Sequence, residues 1–150
     1  MYKKILIAMD DSDTSMQAFN EAMKLSKVHH ATLQIVHIAN EFNVPYVGSG
    51  VDYEKLEASF KAYGQTFLDK MLAIARKHHK DCEAHLIEMD SSKQNVSDKI
   101  IEAAKKWAAD LIVIGTHGRR GYQHLLLGSV AEGVIRNAPM PVLLVRGKPD

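Results

Sequence analysis

The chain of 150 residues has one cysteine, Cys82, so no disulfide can form within it. A lone thiol at the start of an apparent strand reads as a structural residue, and its isolation fits a reducing cytosol. An excess of one charge is also missing. Lys and Arg number 19 against 18 Asp and Glu, a net charge of +1. That balance removes the global basic footprint of a nucleic-acid or membrane-surface binder. No apolar stretch approaches the ~18 residues of a membrane span. The apolar run after Met1-Tyr2-Lys3-Lys4 reaches only Met9 before Asp10 and Asp11, too short for the core of a signal peptide. These absences predict a soluble cytoplasmic protein with neither nucleic acid nor membrane among its partners. The length suits one domain over 1–150 with a substantial core.

What is present alternates regularly. Lys4 to Met9 is a nearly continuous apolar run, as expected of a strand covered on both faces. Asp10-Asp11-Ser12-Asp13 breaks it, and Ser12 or Asp13 can cap a helix to about Val28 with Phe19, Ala22, Met23 and Ser26 on one side. Thr32 to Ile38 is a second strand. Ala39 to Val51 holds Pro45, Gly48 and Gly50 and reads as a mobile loop that could close over a ligand. A long helix from about Asp52 to His79 carries Leu56, Phe60, Tyr63, Phe67, Met71 and Ile74 as one apolar stripe, a core feature rather than a cofactor box. Gly64 within it slightly weakens the helix.

Cys82 to Met89 is a third strand whose partial alternation suits a sheet edge. Asn95 and Asp98 resemble a capping pair, opening a helix to about Ala109 with Ile100, Ile101, Ala104, Trp107 and Ala108 inward. Leu111 to Ile114 is a fourth strand. A final helix from Ser129 to Asn137 is stopped by Pro139 and Pro141, and Val142 to Val145 forms a fifth strand. Strands alternating with helices predict an α/β fold with a doubly wound parallel sheet. Ligands of such sheets bind beyond the carboxyl ends of the strands, where strand order reverses. The ends of strand one (Ala8, Met9, Asp10), strand two (Ile38) and strand four (Ile114, Gly115) should therefore lie together. The doublets His29-His30 and His78-His79 fall at helix ends, where cationic side chains suit the dipole.

The connection from the fourth strand to the last helix is about a dozen residues long, where ~2–6 is usual. Gly115, Gly118, Gly121 and Gly128 punctuate it, with Arg119 and Arg120 beside them. Glycines let backbone N–H groups approach a ligand, and a helix N-terminus offers unpaired donors to an anion. The stretch therefore reads as a phosphate cradle. Two common phosphate loops are excluded. No Gly-Lys-Ser/Thr stands here, and the first strand, where a dinucleotide fingerprint belongs, is followed by acidic residues. What stands is Gly115-x-x-Gly118, nine residues, then Gly128-Ser129.

On that spacing the sequence resembles the ATP-binding members of the universal stress protein family. Further likeness lies in Lys-Ile-Leu-Ile-Ala-Met-Asp-Asp-Ser at the start and Ile-Val-His-Ile on strand two. It continues in Leu-Leu-Leu-Gly-Ser-Val-Ala-Glu and Ala-Pro-Met-Pro-Val-Leu-Leu-Val near the end. The resemblance implies a Rossmann-like adenine-nucleotide-binding fold with five strands in the order 3-2-1-4-5. It implies that Asp10 takes the ribose hydroxyls, that Ala8 and Ile38 flank the adenine, and that Ile114 and Gly115 pack under ribose and base. Gly118, Arg119, Gly128, Ser129 and Val130 would surround the phosphates, with Thr116 and His117 as further loop candidates. The implied ligand is ATP, with Mg2+ or Mn2+ held through the phosphates. Where the family commonly has glycine after this aspartate, the chain has Asp11, which could weaken phosphate binding or help hold a metal. Family members dimerise through the last strand, so Val142 to Val145 implies a homodimer.

The sequence shows no residue placed as a catalytic base, and the motifs of adenylating ligases and Ser–His–Asp hydrolases are absent. The expectation is a dimeric stress-response or signalling protein that binds ATP with slow or no hydrolysis. One alternative is a nucleotide-free dimeric adaptor of the same family. Another is a phosphoacceptor receiver domain, suggested by Asp10-Asp11, Asp90, Thr116 and Lys148-Pro149. A receiver needs a further helix after Lys-Pro, and it would leave the glycine loop unexplained.

Overall fold

A computed structural model describes residues 1–39, 50, 52–89, 94–118 and 127–147. The elements run β1 (Lys4–Met9), α1 (Asp13–His29), β2 (Thr32–Ala39), α2 (Tyr53–Arg76), β3 (Cys82–Glu88), α3 (Val96–Trp107), β4 (Leu111–Gly115), α4 (Ser129–Asn137) and β5 (Val142–Val145). All five strands are parallel, in the order β3-β2-β1-β4-β5. This is the expected doubly wound sheet, and it excludes the receiver, whose order is 2-1-3-4-5. Among the described residues no helix is long and apolar enough to cross a membrane.

The apolar runs become central strands because they are covered twice. In β1, Ile5, Ile7 and Met9 enter one core with Phe19 of α1 and Leu68 and Met71 of α2. Leu6 and Ala8 enter the opposite core with Ile100 of α3 and Val134 of α4. The alternating strand β3 lies at one edge and the half-buried β5 at the other.

Two helix faces differ from the sequence expectation. The buried face of α2 is Gly64, Leu68, Met71 and Ala75, one position round from the aromatic stripe. Tyr63 is exposed, and Phe67 only packs at the core's margin. The reason is the closeness of helix and sheet. A Cβ on Gly64 would stand 2.8 Å from Cδ1 of Leu86 and 3.0 Å from Cδ2 of His37. No ring fits in that line of approach, so glycine occupies it and the aromatics flank it. In α3, Ala108 is not inward. It adopts left-handed φ and ψ of 57° and 46° as the C-cap, and Ala109 beyond it is the buried residue. Asn95 is the N-cap of α3 as expected, but its side chain makes no cap bond; its amide reaches Asp98 instead, at 3.4 Å.

Gly64→Val should destabilise the protein by about 1–3 kcal/mol, because the added methyls must displace the ring of His37 or lift α2. Urea unfolding of the two proteins measures the difference; equal midpoints and slopes would show that α2 has room at this point.

Candidate functional site

The carboxyl end of β1 lies between β2 and β4. Ala8 pairs with Val36 on one side and with Ile114 on the other. Ala8, Ile38 and Ile114 are all buried in the core beneath α3 and α4, so the three form one apolar floor at the strand ends.

Asp10 follows β1 and opens a tightly bonded turn. Its backbone N–H donates to Oγ of Ser15 at 3.0 Å, and its Oδ1 accepts the backbone N–H of Ser12 at 2.9 Å. Oγ of Ser12 in turn accepts the N–H of Ser15 at 3.2 Å and caps α1. Of the two caps open in the sequence, Ser12 is the one used. Two serines three residues apart thus fix the aspartate between strand and helix.

The glycine loop meets this turn from β4. A Cβ on Gly115 would lie 2.9 Å from Cγ2 of Thr14 and 3.2 Å from its carbonyl carbon, so the end of β4 packs directly on the first turn of α1. A Cβ on Gly118 would lie 2.6 Å from Oδ2 of Asp10. The carboxylate of Asp10 therefore lies close against the backbone of Gly118, and a side chain there would push it from its present position.

The far end of the loop returns to the same place. The N–H of Gly128 donates to the carbonyl of Thr116 at 2.7 Å, and the N–H of Thr116 donates to the carbonyl of Val145 at 2.9 Å. Thr116 is buried, and its hydroxyl lies 3.0 Å from Nδ1 of His117. Gly128 is the N-cap of α4 and brings no side chain to cap it, so the N–H groups of the first turn begin beside the loop backbone. Ser129 and Gly118 are exposed and Val130 is half-buried.

The structure thus brings Ala8, Asp10, Ile38, Ile114, Gly115, Thr116, Gly118, Gly128, Ser129 and Val130 to one end of the sheet. Arg119, Arg120, Asp90 and most of Ala39 to Val51 lie outside the described residues. Asp11 is exposed, and its Oδ2 accepts the hydroxyl of Tyr63 on α2 at 2.7 Å. Sequence reading missed Ser15 and Tyr63. The Ser12-x-x-Ser15 spacing is a visible cap signal. Nothing local marks Tyr63, which is 52 residues from its partner.

Other candidates lie elsewhere. A ring nitrogen of His79 meets the carbonyl of Ala31 at 2.7 Å, and the ring of His29 packs edge-on against Tyr2. Among the described residues no group of three or more His, Cys, Asp or Glu is placed to hold a metal ion. Cys82 is buried at the start of β3, with Sγ 3.1 Å from the carbonyl of His79. Burial pushes its thiol above the usual range, opposed by the charge of Arg76.

With this geometry in place, comparison with known proteins is informative. The universal stress protein family model matches residues 1–146, and the chain belongs to that family. It is 35% identical over 148 residues to a universal stress protein of Methanocaldococcus jannaschii, covering 97% of this chain and 83% of the relative. A solved family member from Burkholderia pseudomallei is 31% identical with a TM-score of 0.76, covering 96% of each chain. The universal stress protein of Archaeoglobus fulgidus, solved in complex with dAMP, is 26% identical with a TM-score of 0.65. That match covers 96% of this chain and 98% of the other.

Cys82 should resist iodoacetamide at pH 8 in the folded protein and react within minutes once urea unfolds it, as read by intact mass. Rapid labelling of the native protein would contradict its structural assignment.

Proposed function

We propose that this universal stress protein binds ATP at the β1–β4 crevice and works as a homodimer in a stress response or signalling role. The observation that carries the reading is the seating of the Asp10 carboxylate against Gly118, with the start of α4 bonded onto the same loop. A hydroxyl-binding carboxylate and an array of backbone donors then stand side by side, as a ribose and its phosphates require. The dAMP complex of the Archaeoglobus fulgidus relative supports a nucleotide of adenine.

In this reading Ala8 and Ile38 border the adenine, and Asp10 accepts hydrogen bonds from the ribose hydroxyls. Ile114 and Gly115 lie under ribose and base. The backbone of Gly118 and the N–H groups of Ser129 and Val130 receive the phosphates, with Gly128 clearing the approach and Arg119 adding charge. Thr116 holds the two ends of the loop together. Mg2+ or Mn2+ would enter with the phosphates as their counterion. Asp10 and His117 are both held by neighbouring groups, Asp10 by Ser12 and His117 by Thr116. That arrangement suits binding with slow or no hydrolysis.

Denaturing the purified protein and weighing the released small molecules tests the site. ATP in the supernatant is expected. Its absence even after soaking with Mg-ATP would favour the nucleotide-free adaptor. Turnover in the ordinary enzyme range, about 1–10³ s⁻¹, would contradict the binding role.

The dimer reading rests on β5. It is a half-buried, wholly apolar edge strand, the kind that invites pairing. A groove lined by Gln17, Lys24, Leu143 and Arg146 runs beside it along α1. Leu144→Glu should sediment at the monomer mass with its circular dichroism unchanged. A dimer mass for that variant would sink the assignment of β5.

A further inference from the structure

We propose that Tyr63 and Asp11 are a positioning pair that sets the ribose-binding carboxylate of Asp10, so that α2 tunes nucleotide affinity from outside the site. The inference rests on the ribose role given to Asp10 above.

The chain of contacts is short. Oδ1 of Asp10 is aimed by the N–H of Ser12, which belongs to the peptide unit joining Asp11 to Ser12. Rotation of that peptide would swing this donor away from Oδ1. On its carboxyl side the peptide is held by the cap of α1, through Oγ of Ser12 and the N–H of Ser15. On its amino side the side chain of Asp11 is held by the hydroxyl of Tyr63, at 2.7 Å. A hydrogen bond to an ionised acceptor is among the stronger kinds, so it can fix a turn that is otherwise exposed.

Tyr63 lies on the part of α2 that packs on the sheet. Its neighbour Gly64 is the point where α2 comes closest to the sheet, against Leu86 and His37. One turn further on, the ring of Phe67 lies 5.2 Å from the ring of His37. Nδ1 of that buried imidazole meets the carbonyl of Met9 at 2.8 Å, one residue before Asp10. A single stretch of α2 therefore touches the end of β1 from two sides. Phe67 and Gly64 act through His37 on Met9, and Tyr63 acts on Asp11. Asp10 lies between them. The second contact depends on the carboxylate of Asp11, whose Oδ2 accepts the hydroxyl of Tyr63.

Calorimetric titration of the full chain with ATP and with 2′,3′-dideoxy-ATP separates this role from a structural one. Tyr63→Phe keeps the ring and removes only the hydroxyl. ATP affinity should fall about three- to tenfold, the worth of one hydrogen bond. Affinity for the dideoxy analogue, which gives Asp10 nothing to hold, should stay unchanged. Asp11→Ala also removes a negative charge near the phosphates, which raises both affinities together. The ratio of ATP to dideoxy-ATP affinity cancels that effect and should fall as in Tyr63→Phe. The double variant should show no further change in ratio. An equal loss for both nucleotides in Tyr63→Phe, or no loss, would overturn the pair and leave the ATP site standing. A wild-type protein that binds ATP and the dideoxy analogue equally would overturn the ribose role of Asp10 and the pair with it. Failure of the wild type to bind either would overturn the ATP reading itself.

Discussion

The structure depends on the double pairing of β1. Hydrogen-bonded to β2 on one side and β4 on the other, it is the strand from which the chain winds first one way and then the other. The core with α1 and α2 lies on one face of the sheet and the core with α3 and α4 on the other. At the carboxyl end of β1 the departing connections separate, which is where sheets of this kind place a ligand crevice. Everything assigned to the site is attached there. Asp10 follows β1, Gly115 ends β4, Ala39 ends β2 one residue after Ile38, and Gly128 at the start of α4 bonds back to Thr116. The fold therefore supplies the crevice, and a few side chains decide what it holds.

Much of this was legible in the sequence because strong local signals coincide. The apolar runs of β1 and β4 have no polar break, so they read as strands buried on both faces. Val142 to Val145 is bracketed by Pro141 and Arg146, and its bounds came out as expected. The glycine spacing marks the connection between β4 and α4. Misreadings arose where tertiary approach outweighs local pattern. In α2 the apolar period pointed to Leu56, Phe60, Tyr63, Phe67, Met71 and Ile74; Met71 is buried and Phe67 and Ile74 pack against the core, but Tyr63 is exposed and Gly64 takes the buried position beside it. Hydrophobic periodicity cannot register Gly64 as the centre of a buried face, because glycine scores as nearly neutral. Ala108 fails for a different reason. Its left-handed backbone ends the helix, and an alanine in that conformation has no sequence signature, whereas glycine would have.

Within the site, legibility divides by the kind of contact. Backbone-directed features such as the glycines and the Ser12 cap could be read, since residue type alone implies them. The turn-fixing role of Ser15 was within reach of the same logic. The link from Tyr63 to Asp11 was not, because it joins residues from separate crossovers whose relation exists only once α2 is seated. Sequence spacing carries no information about such a pair.

Asp11 shows why that missing relation matters for chemistry. Considered alone, a second carboxylate beside Asp10 is either a repulsive charge near phosphates or a metal ligand. Both readings treat it as facing the crevice. In the structure one of its oxygens accepts the Tyr63 hydroxyl, so that part of the side chain is engaged with α2. The backbone of Asp11 is joined through one peptide to the N–H of Ser12 that Oδ1 of Asp10 accepts. The chain thereby has a contact between its second crossover and the turn after β1 that a glycine at this position could not make.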